Sequence, residues 1–249
     1  VLTEDSLRDA VRRAGIEATA RFDEVTGSTN RTALRLAEEG APAWTVVGAG
    51  HQTAGRGRLG RIWVSRPGGA VTFSVVLRPE VGPDRIGLLS LAAGAAGATA
   101  CREVAGADVR CKWPNDLLLG PDKVGGILAE AAVSGMETRY VVVGVGINLE
   151  PPEGVAGAGG IGPVDAAVLV ERLLRELRSL CSPDPGLADR VLSAYRPLCA
   201  TLGTPVRATT LDGRVVEGVG EDVDARGNLV VAEYLRRSVV GFGEVEHLR

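Results

Sequence analysis

Apolar and polar positions along this 249-residue chain recur with periods that divide it into helices, strands and loops. Over residues 4–14, Leu7, Ala10, Val11 and Ala14 share one face of a predicted helix. Ser28, Thr29 or Asn30 supplies a cap for a second helix over about 30–39, which Gly40 stops. TVVGAG (45–50) and AVTFSVVLR (70–78) read as short strands, the latter ended by Pro79. Ile86 to Val104 reads as a core helix whose small residues permit close packing. It is uncharged only as far as Cys101, which is too short for a membrane span. Strands are predicted near 108–113, near 123–134 and from Tyr140 to Ile147, with DLLLGPDK as a turn between the first two. The glycine-rich segment from Glu150 to Gly162, with Pro151 and Pro152, reads as a mobile loop outside the core. Helices follow at about 165–180 and 187–200. From Leu202 the pattern changes to short β-like runs (TPVRATT, GRVVEGVGEDVD, NLVVAEY, RRSVVGF) separated by DG, RGN and charged turns. The expectation is therefore two domains. Residues 1–201 mix helices and strands as α/β or α+β, and residues 202–249 form a small β-barrel.

Composition narrows the function classes. With 45% hydrophobic and 24% charged residues the chain is globular, and a net charge of −3 provides no general basic field for nucleic acid or anionic lipid. Cys101, Cys111, Cys181 and Cys199 lack CxxC spacing, and His51 and His247 are the only histidines, so neither a disulfide scaffold nor a zinc site is expected. Free, buried thiols and a charged, helical first segment point to the cytoplasm. Of 28 basic residues only Lys112 and Lys123 are lysines. Where arginine is so strongly preferred, a retained lysine marks a position where a compact ammonium and a planar guanidinium are not equivalent.

Five segments carry candidate chemistry. His51 to Arg61 holds Arg56, Arg58 and Arg61 among Gly55, Gly57 and Gly60, with no acid. In an extended loop Arg56 and Arg58 point the same way, and the glycines let backbone approach a ligand, which suits phosphate or carboxylate. A solvated loop has the same composition, and no GK[ST] follows to make a P-loop. Lys112-Trp113-Pro114-Asn115-Asp116 gathers a cation, an amide and a carboxylate, as ATP with Mg²⁺ requires; a turn beside a half-buried Trp is the plainer reading. Lys123 precedes Gly125 and Gly126, paired glycines in a strand that fit either a ligand against the backbone or tight sheet packing. Asn148 ends the apolar run Gly144-Val145-Gly146-Ile147, placed to meet a nucleotide or to form a turn. Ser28-Thr29-Asn30 serves as a helix cap or as a small polar receptor. The chain has no nucleophile elbow, no paired carboxylates in an apolar setting and no dinucleotide glycine pattern. Arginines, two lysines and one carboxylate favour adenylation over acyl hydrolysis or redox chemistry.

In this order, STN at 28–30, Gln52, GRGRLGR at 55–61, Trp63, KWPND at 112–116, Lys123 with GGIL at 125–128, and GVGIN at 144–148 resemble the biotin protein ligases, the biotin–[acetyl-CoA-carboxylase] ligases. The resemblance covers essentially the whole chain, and the combination is far more specific than any one motif. It implies an α+β fold: a catalytic domain like that of class II aminoacyl-tRNA synthetases, a mixed sheet flanked by helices, followed by an SH3-like module. It implies activation of biotin by ATP to biotinyl-5′-AMP, then transfer to one lysine of a biotin carboxyl carrier domain. By the same resemblance, Ser28, Thr29 and Gln52, with Asn30, would bind the ureido end of biotin. The loop bearing Gly55, Arg56, Gly57, Arg58, Arg61 and Trp63 would fold over the ligand, with Arg56 and Arg58 on carboxylate and phosphate. Lys123 would sit at the transfer centre, with Gly125 and Gly126 presenting backbone to biotin. Asn115, Asp116 and Asn148 would handle nucleotide and Mg²⁺, Asp116 being the metal ligand and a general base or orienting group, and Lys112 would add positive charge. The 150s loop would close over adenine.

The segment ahead of Ser28 is too short for the helix-turn-helix domain that some family members carry, so no specific DNA binding is expected. A monomer or weak homodimer is the accompanying expectation. The alternatives are a lipoate ligase or octanoyltransferase, with an apolar tail pocket and no ureido site, and a noncatalytic biotin or adenine-nucleotide sensor.

Overall fold

The computed structural model describes residues 1–182, 186–210, 212–241 and 243–248. The chain opens with α1 (Glu4–Arg13), capped reciprocally by Thr3 and Ser6. It continues through β1 (Ala20–Thr26), α2 (Thr29–Glu38), β2 (Val46–Gln52), the short β3 (Gly55–Arg56) and β4 (Ile62–Trp63), and β5 (Ala70–Leu77). Next come α3 (Ile86–Ala105), β6 (Val109–Lys112), β7 (Asp116–Leu119), β8 (Asp122–Ser134), β9 (Glu137–Asn148), α4 (Ala166–Leu180) and α5 (Leu187–Tyr195). The remainder is β10 (Pro205–Thr210), β11 (Val215–Val223), β12 (Leu229–Ala232), β13 (Arg237–Val240) and β14 (Gly243–His247).

Seven strands form one mixed sheet in the order β1-β2-β5-β9-β8-β7-β6, with β1 and β2 parallel and every other pair antiparallel. Side chains alternate across it with period two. Val71, Phe73, Val75 and Leu77 of β5, and Val141, Val143, Val145 and Ile147 of β9, enter the main core with α1, α3, α4 and α5. On the opposite face Val76, Tyr140 and Val142 pack with Ala33 and Ala37 of α2. One helix therefore covers one face and four cover the other, which leaves part of the α2 face open for a site. In α3 the small residues do what the sequence suggested: a Cβ on Gly97 would stand 3.1 Å from Leu117 Cδ1. Leu88, Leu89 and Leu91 are fully buried, each contributing about 1.5–3 kcal/mol by burial. No helix among the described residues is long and apolar enough to cross a membrane.

The second sheet, β13-β12-β11-β10-β14, is antiparallel throughout and buries Val206, Ala208, Val216, Leu229, Val231 and Val240. It is tied to the first by buried polar contacts. The Trp113 backbone N–H donates to Thr201 Oγ1 at 3.0 Å, its indole N–H donates to the Gly227 carbonyl at 3.0 Å, and Ala200 N–H donates to the Cys111 carbonyl at 2.8 Å.

Several expectations need correction. DLLLGPDK is mostly strand: Asp116–Leu119 pairs on both sides because Leu117 is fully buried, and only the segment around Gly120 turns. Trp113 is buried at 1% exposure, not half-buried. The 187–200 helix ends at Tyr195, and Pro197 sits in a tighter 3₁₀ turn. The glycine-rich loop is not wholly outside the core: Ile161 is 7% exposed, and its backbone is pinned to the Lys123 backbone by Lys123 N–H to Gly157 O and Gly159 N–H to Lys123 O. Phe242, which ends the RRSVVGF run, lies outside the described residues.

Candidate active site

The site lies on the α2 face, where even-numbered residues of β8 and β9 meet in register: Gly126 opposite Gly146, Leu128 opposite Gly144, Glu130 opposite Val142. The three glycines hollow the sheet. A Cβ on Gly146 would stand 2.7 Å from Trp63 Cζ2 and one on Gly126 3.5 Å from Trp63 Cζ3, so the indole lies directly on this backbone. A Cβ on Gly144 would overlap Asn30 Oδ1. Glycine is thus required at 144 and 146 by the closeness of Asn30 and Trp63, which spacing alone did not reveal, while a Cβ on Gly126 would make an ordinary contact.

At the start of α2, Ser28 occupies the N-cap position with extended backbone, yet its side chain makes no cap bond. Gln52 does that work from β2: its Oε1 accepts from the Thr29 backbone N–H at 2.8 Å and from Thr29 Oγ1 at 3.1 Å. The Ser28 side chain, only 3% exposed, is left to line the cavity. Behind it, Asn30 Oδ1 accepts from Ser74 Oγ at 2.6 Å, while Asn30 Nδ2 donates to the Leu128 carbonyl at 3.1 Å and to Glu130 Oε2 at 2.9 Å. Both the nitrogen and the oxygen of that buried amide have partners, which fixes its orientation.

The other walls carry charge. Lys123 Nζ lies 2.6 Å from Asp116 Oδ1, its stem 3.6 Å from where a Gly126 Cβ would be. Arg58 Nη1 donates to Asn115 Oδ1 at 3.1 Å and to the Gly243 carbonyl at 3.2 Å, while Asn115 Nδ2 donates to Ile127 O at 3.2 Å. Burial pulls the Arg58 guanidinium below its ordinary value, with Asp116 and Glu244 acting in the opposite sense. Arg56 pairs with Glu130 at 3.0 Å, and Arg61 forms an ion pair with Glu244. Together these side chains enclose a cavity of about 300 Å³. Its lining includes five cationic residues (Arg56, Arg58, Arg61, Lys112, Lys123) against Asp116, Glu244 and Glu246, a net positive balance suited to an anionic ligand.

Of the residues singled out in the sequence, Ser28, Thr29, Asn30, Gln52, Arg56, Gly57, Arg58, Arg61, Trp63, Lys112, Asn115, Asp116, Lys123 and Gly126 line this cavity. Gly55, Gly125 and Asn148 do not. Gly55 pairs with Trp63 at the base of the loop, and a Cβ on Gly125 would stand 2.9 Å from Gly146 O and 3.0 Å from Leu117 Cδ1, the tight sheet packing of the alternative reading. Asn148 Nδ2 donates to Gly159 O at 3.1 Å, and its buried Oδ1 has no partner among the described residues. Arg56 and Arg58 both face the cavity but reach different partners, so they are not a parallel pair. Sequence reading missed Ser74, Glu130, Glu244 and Glu246. Strand alternation places the first two on this face; the last two arrive on β14 from a distant part of the chain, without any local signal.

Residues 22–148 match the model of the biotin/lipoate A/B protein ligase family. The chain is 37% identical over its full length to a biotin–[acetyl-CoA-carboxylase] ligase of Mycobacterium tuberculosis, covering 96% of it. It is 35% identical over 88% of its length to one of Paracoccus denitrificans, covering 97% of that protein. Among solved structures, the biotin protein ligase of Aquifex aeolicus in complex with biotin and ATP superposes with a TM-score of 0.74 at 23% identity, over 92% of this chain and 99% of that one.

Proposed function

Because the chain belongs to the biotin/lipoate A/B protein ligase family, we propose that it is an ATP-dependent, adenylate-forming ligase that converts biotin to biotinyl-5′-AMP and passes the biotinyl group to a lysine of a biotin carboxyl carrier domain. The observation that carries this reading is the polarity of the cavity from end to end. Buried hydroxyl and amide groups at the α2 end suit a neutral, hydrogen-bonding head group, and clustered cations at the other suit carboxylate and phosphate.

In the first step the biotin carboxylate attacks the α-phosphorus of ATP and pyrophosphate leaves. Two anions must approach, so the side chains that offset their repulsion control the barrier. Ser28, Thr29 and Gln52 receive the ureido head. Lys123, aimed by Asp116 and resting on Gly126, stabilises charge where carboxylate meets phosphate; Arg58 and Lys112 neutralise the phosphates. A loop carrying Arg56, Arg61 and Trp63 excludes the water that would hydrolyse the mixed anhydride. In the second step the carrier lysine must arrive as a free amine; it attacks the acyl carbon and AMP leaves. Asp116 is the carboxylate in reach to orient that amine and take its proton.

Asp116, the carboxylate beside Lys123 in the cavity wall, would be the protein oxygen for Mg²⁺, which binds through one or two protein oxygens and takes the rest of its ligands from phosphates and water. When bound, the metal supplies positive charge that further screens the triphosphate. Among the described residues no group of three or more His, Cys, Asp or Glu side chains is placed to hold a metal without substrate.

The test is pyrophosphate release from Mg-ATP with biotin, lipoate or octanoate supplied separately, for wild type and Lys123→Ala. Biotin alone should drive release, and the substitution should slow it roughly tenfold to a hundredfold. Release driven by lipoate or octanoate would overturn the assignment of the polar end; binding without release would make the protein a sensor.

A further inference from the structure

The loop that crosses the cavity is held on its outer side by a residue that does not line it. Glu130 lies on β8 one alternate position beyond Leu128, on the cavity face of the sheet, with its side chain 23% exposed. Its Oε2 accepts from the buried Asn30 amide at 2.9 Å and from Arg56 Nη1 at 3.2 Å, and its Oε1 stands 3.0 Å from the same nitrogen. Asn30 is in turn fixed by Ser74 and Leu128. A continuous polar chain therefore runs Ser74–Asn30–Glu130–Arg56, from the floor under the acid to the paired stem of the arginine loop.

We propose that Glu130 is a positioning residue that latches the arginine loop over the acid pocket through Arg56, and so retains the bound acid and its adenylate. Three features argue for this against a casual surface pair. The carboxylate is held from behind by a buried amide that is itself bonded to Ser74 and Leu128, so its position is tied to the floor as well as to the arginine. A negative charge beside a site for anions is unfavourable unless it is neutralised, and Arg56 neutralises it. Finally, Arg56 is the cavity-lining arginine that reaches β8, whereas Arg58 reaches Asn115 and Arg61 reaches Glu244. The latch thus couples loop position to the floor that reads the ligand: when Asn30 is in place, Glu130 is in place, and the loop has an anchor.

This inference rests on the ligase reading, and its test separates the two. In the unliganded protein, trypsin should cut after Arg56, Arg58 and Arg61 about threefold to fivefold faster in Glu130→Ala than in wild type, with Asn30 still bonded to Leu128 and the melting temperature lowered by less than about 4 °C. In single-turnover assays with biotin, Glu130→Ala should leave the adenylation rate within about twofold but raise KM for biotin and the rate of adenylate release about fivefold, with Glu130→Gln intermediate. In the cleavage assay Arg56→Ala should speed cutting after Arg58 and Arg61 as much as Glu130→Ala does, and the double variant should be no faster than either. Unchanged loop cleavage, or additive effects of the two substitutions, would overturn the latch. Faster cleavage in a protein that makes no adenylate would leave the latch standing and remove the ligase reading.

Discussion

The floor of the cavity and the loop that crosses it are built from different interactions. The floor consists of Thr29, Asn30, Gln52 and Ser74, joined by short hydrogen bonds; three of the four are at most 3% exposed. The loop is held by Arg56–Glu130 and Arg61–Glu244, ion pairs whose arginines are 41% and 66% exposed. Leaving one buried polar group unsatisfied costs about 1–3 kcal/mol, whereas an exposed ion pair contributes about 0–1. The floor is therefore preorganised by bonds that are costly to leave unmade, while the loop is held by pairs that each contribute little. An enzyme that must recognise a small acid and then release its activated form to a protein acceptor benefits from both.

The strongest way to break this contrast is to disturb the floor. In Gly144→Ala the new methyl overlaps Asn30 Oδ1, and the amide must give up its bonds to Ser74, Leu128 and Glu130. The expected result is a stability loss of about 2–4 kcal/mol by denaturant unfolding and a fall of about a hundredfold or more in biotin-dependent pyrophosphate release. Wild-type activity in this variant would mean that the floor can rearrange, and the contrast would fail. Next in size is Trp63→Ala, which removes the ring from Gly146 and Gly126 but leaves the floor intact. Affinity for biotin should fall about tenfold while stability changes by about 1 kcal/mol or less, measured by calorimetric titration beside thermal unfolding.

How far the sequence reveals these two regions follows from the same contrast. Short apolar runs identify β5, β8 and β9, and the apolar, alanine-rich run identifies α3, because burial of one face or all faces is written into residue type. The strand Asp116–Leu119 is misread because three leucines before Gly120 and Pro121 look like the approach to a turn, and only the pairing partners on either side make them a strand. Motifs name the loop arginines and the lysines by type. Their reasons are spatial: the glycines of GVGIN are there for Asn30 and Trp63, and Ser28 is released from capping because Gln52 reaches across. Glu130 is marked only by strand alternation in the alanine-rich EAAV context, and the strand that brings Gly243 and Glu244 to Arg58 and Arg61 is folded in from the other end of the chain. The sequence shows which chemistry is present more readily than which groups hold it in place.

A smaller perturbation sharpens the loop side. Arg61→Ala removes one exposed pair, and the expected cost to stability is about 0.5 kcal/mol or less, fading as salt rises toward 1 M. The KM for ATP should rise about twofold to threefold at low salt, and the difference from wild type should shrink in parallel with ionic strength. A salt-independent effect would show that Arg61 belongs with the rigid part of the site.

The smallest expected effect tests whether the wall that carries Lys112 to Asp116 belongs with the floor. Its Trp113 backbone is held by Thr201 Oγ1, which lies 3.0 Å from His247 Nε2 on β14. Burial, and then the nearby Lys112, hold the His247 imidazole below its ordinary value of 6.5. The folded protein therefore refuses a proton that the unfolded chain accepts. Above pH 6.5 this group contributes no pH dependence; as pH falls from 6.5 through the lowered folded value, the unfolded chain gains protons first and stability is lost. In His247→Asn, which cannot take up that proton, the melting temperature should fall less steeply between pH 7 and pH 5.5, by about 1–2 °C over the interval. If the variant and wild type keep the same slope, the imidazole is open to solvent and the wall is held by Trp113, Thr201 and Gly227 alone. A shallower slope joined to a flatter acid limb of kcat, with KM for biotin unchanged, would place the wall with the floor as a second rigid, buried support on which the mobile loop closes.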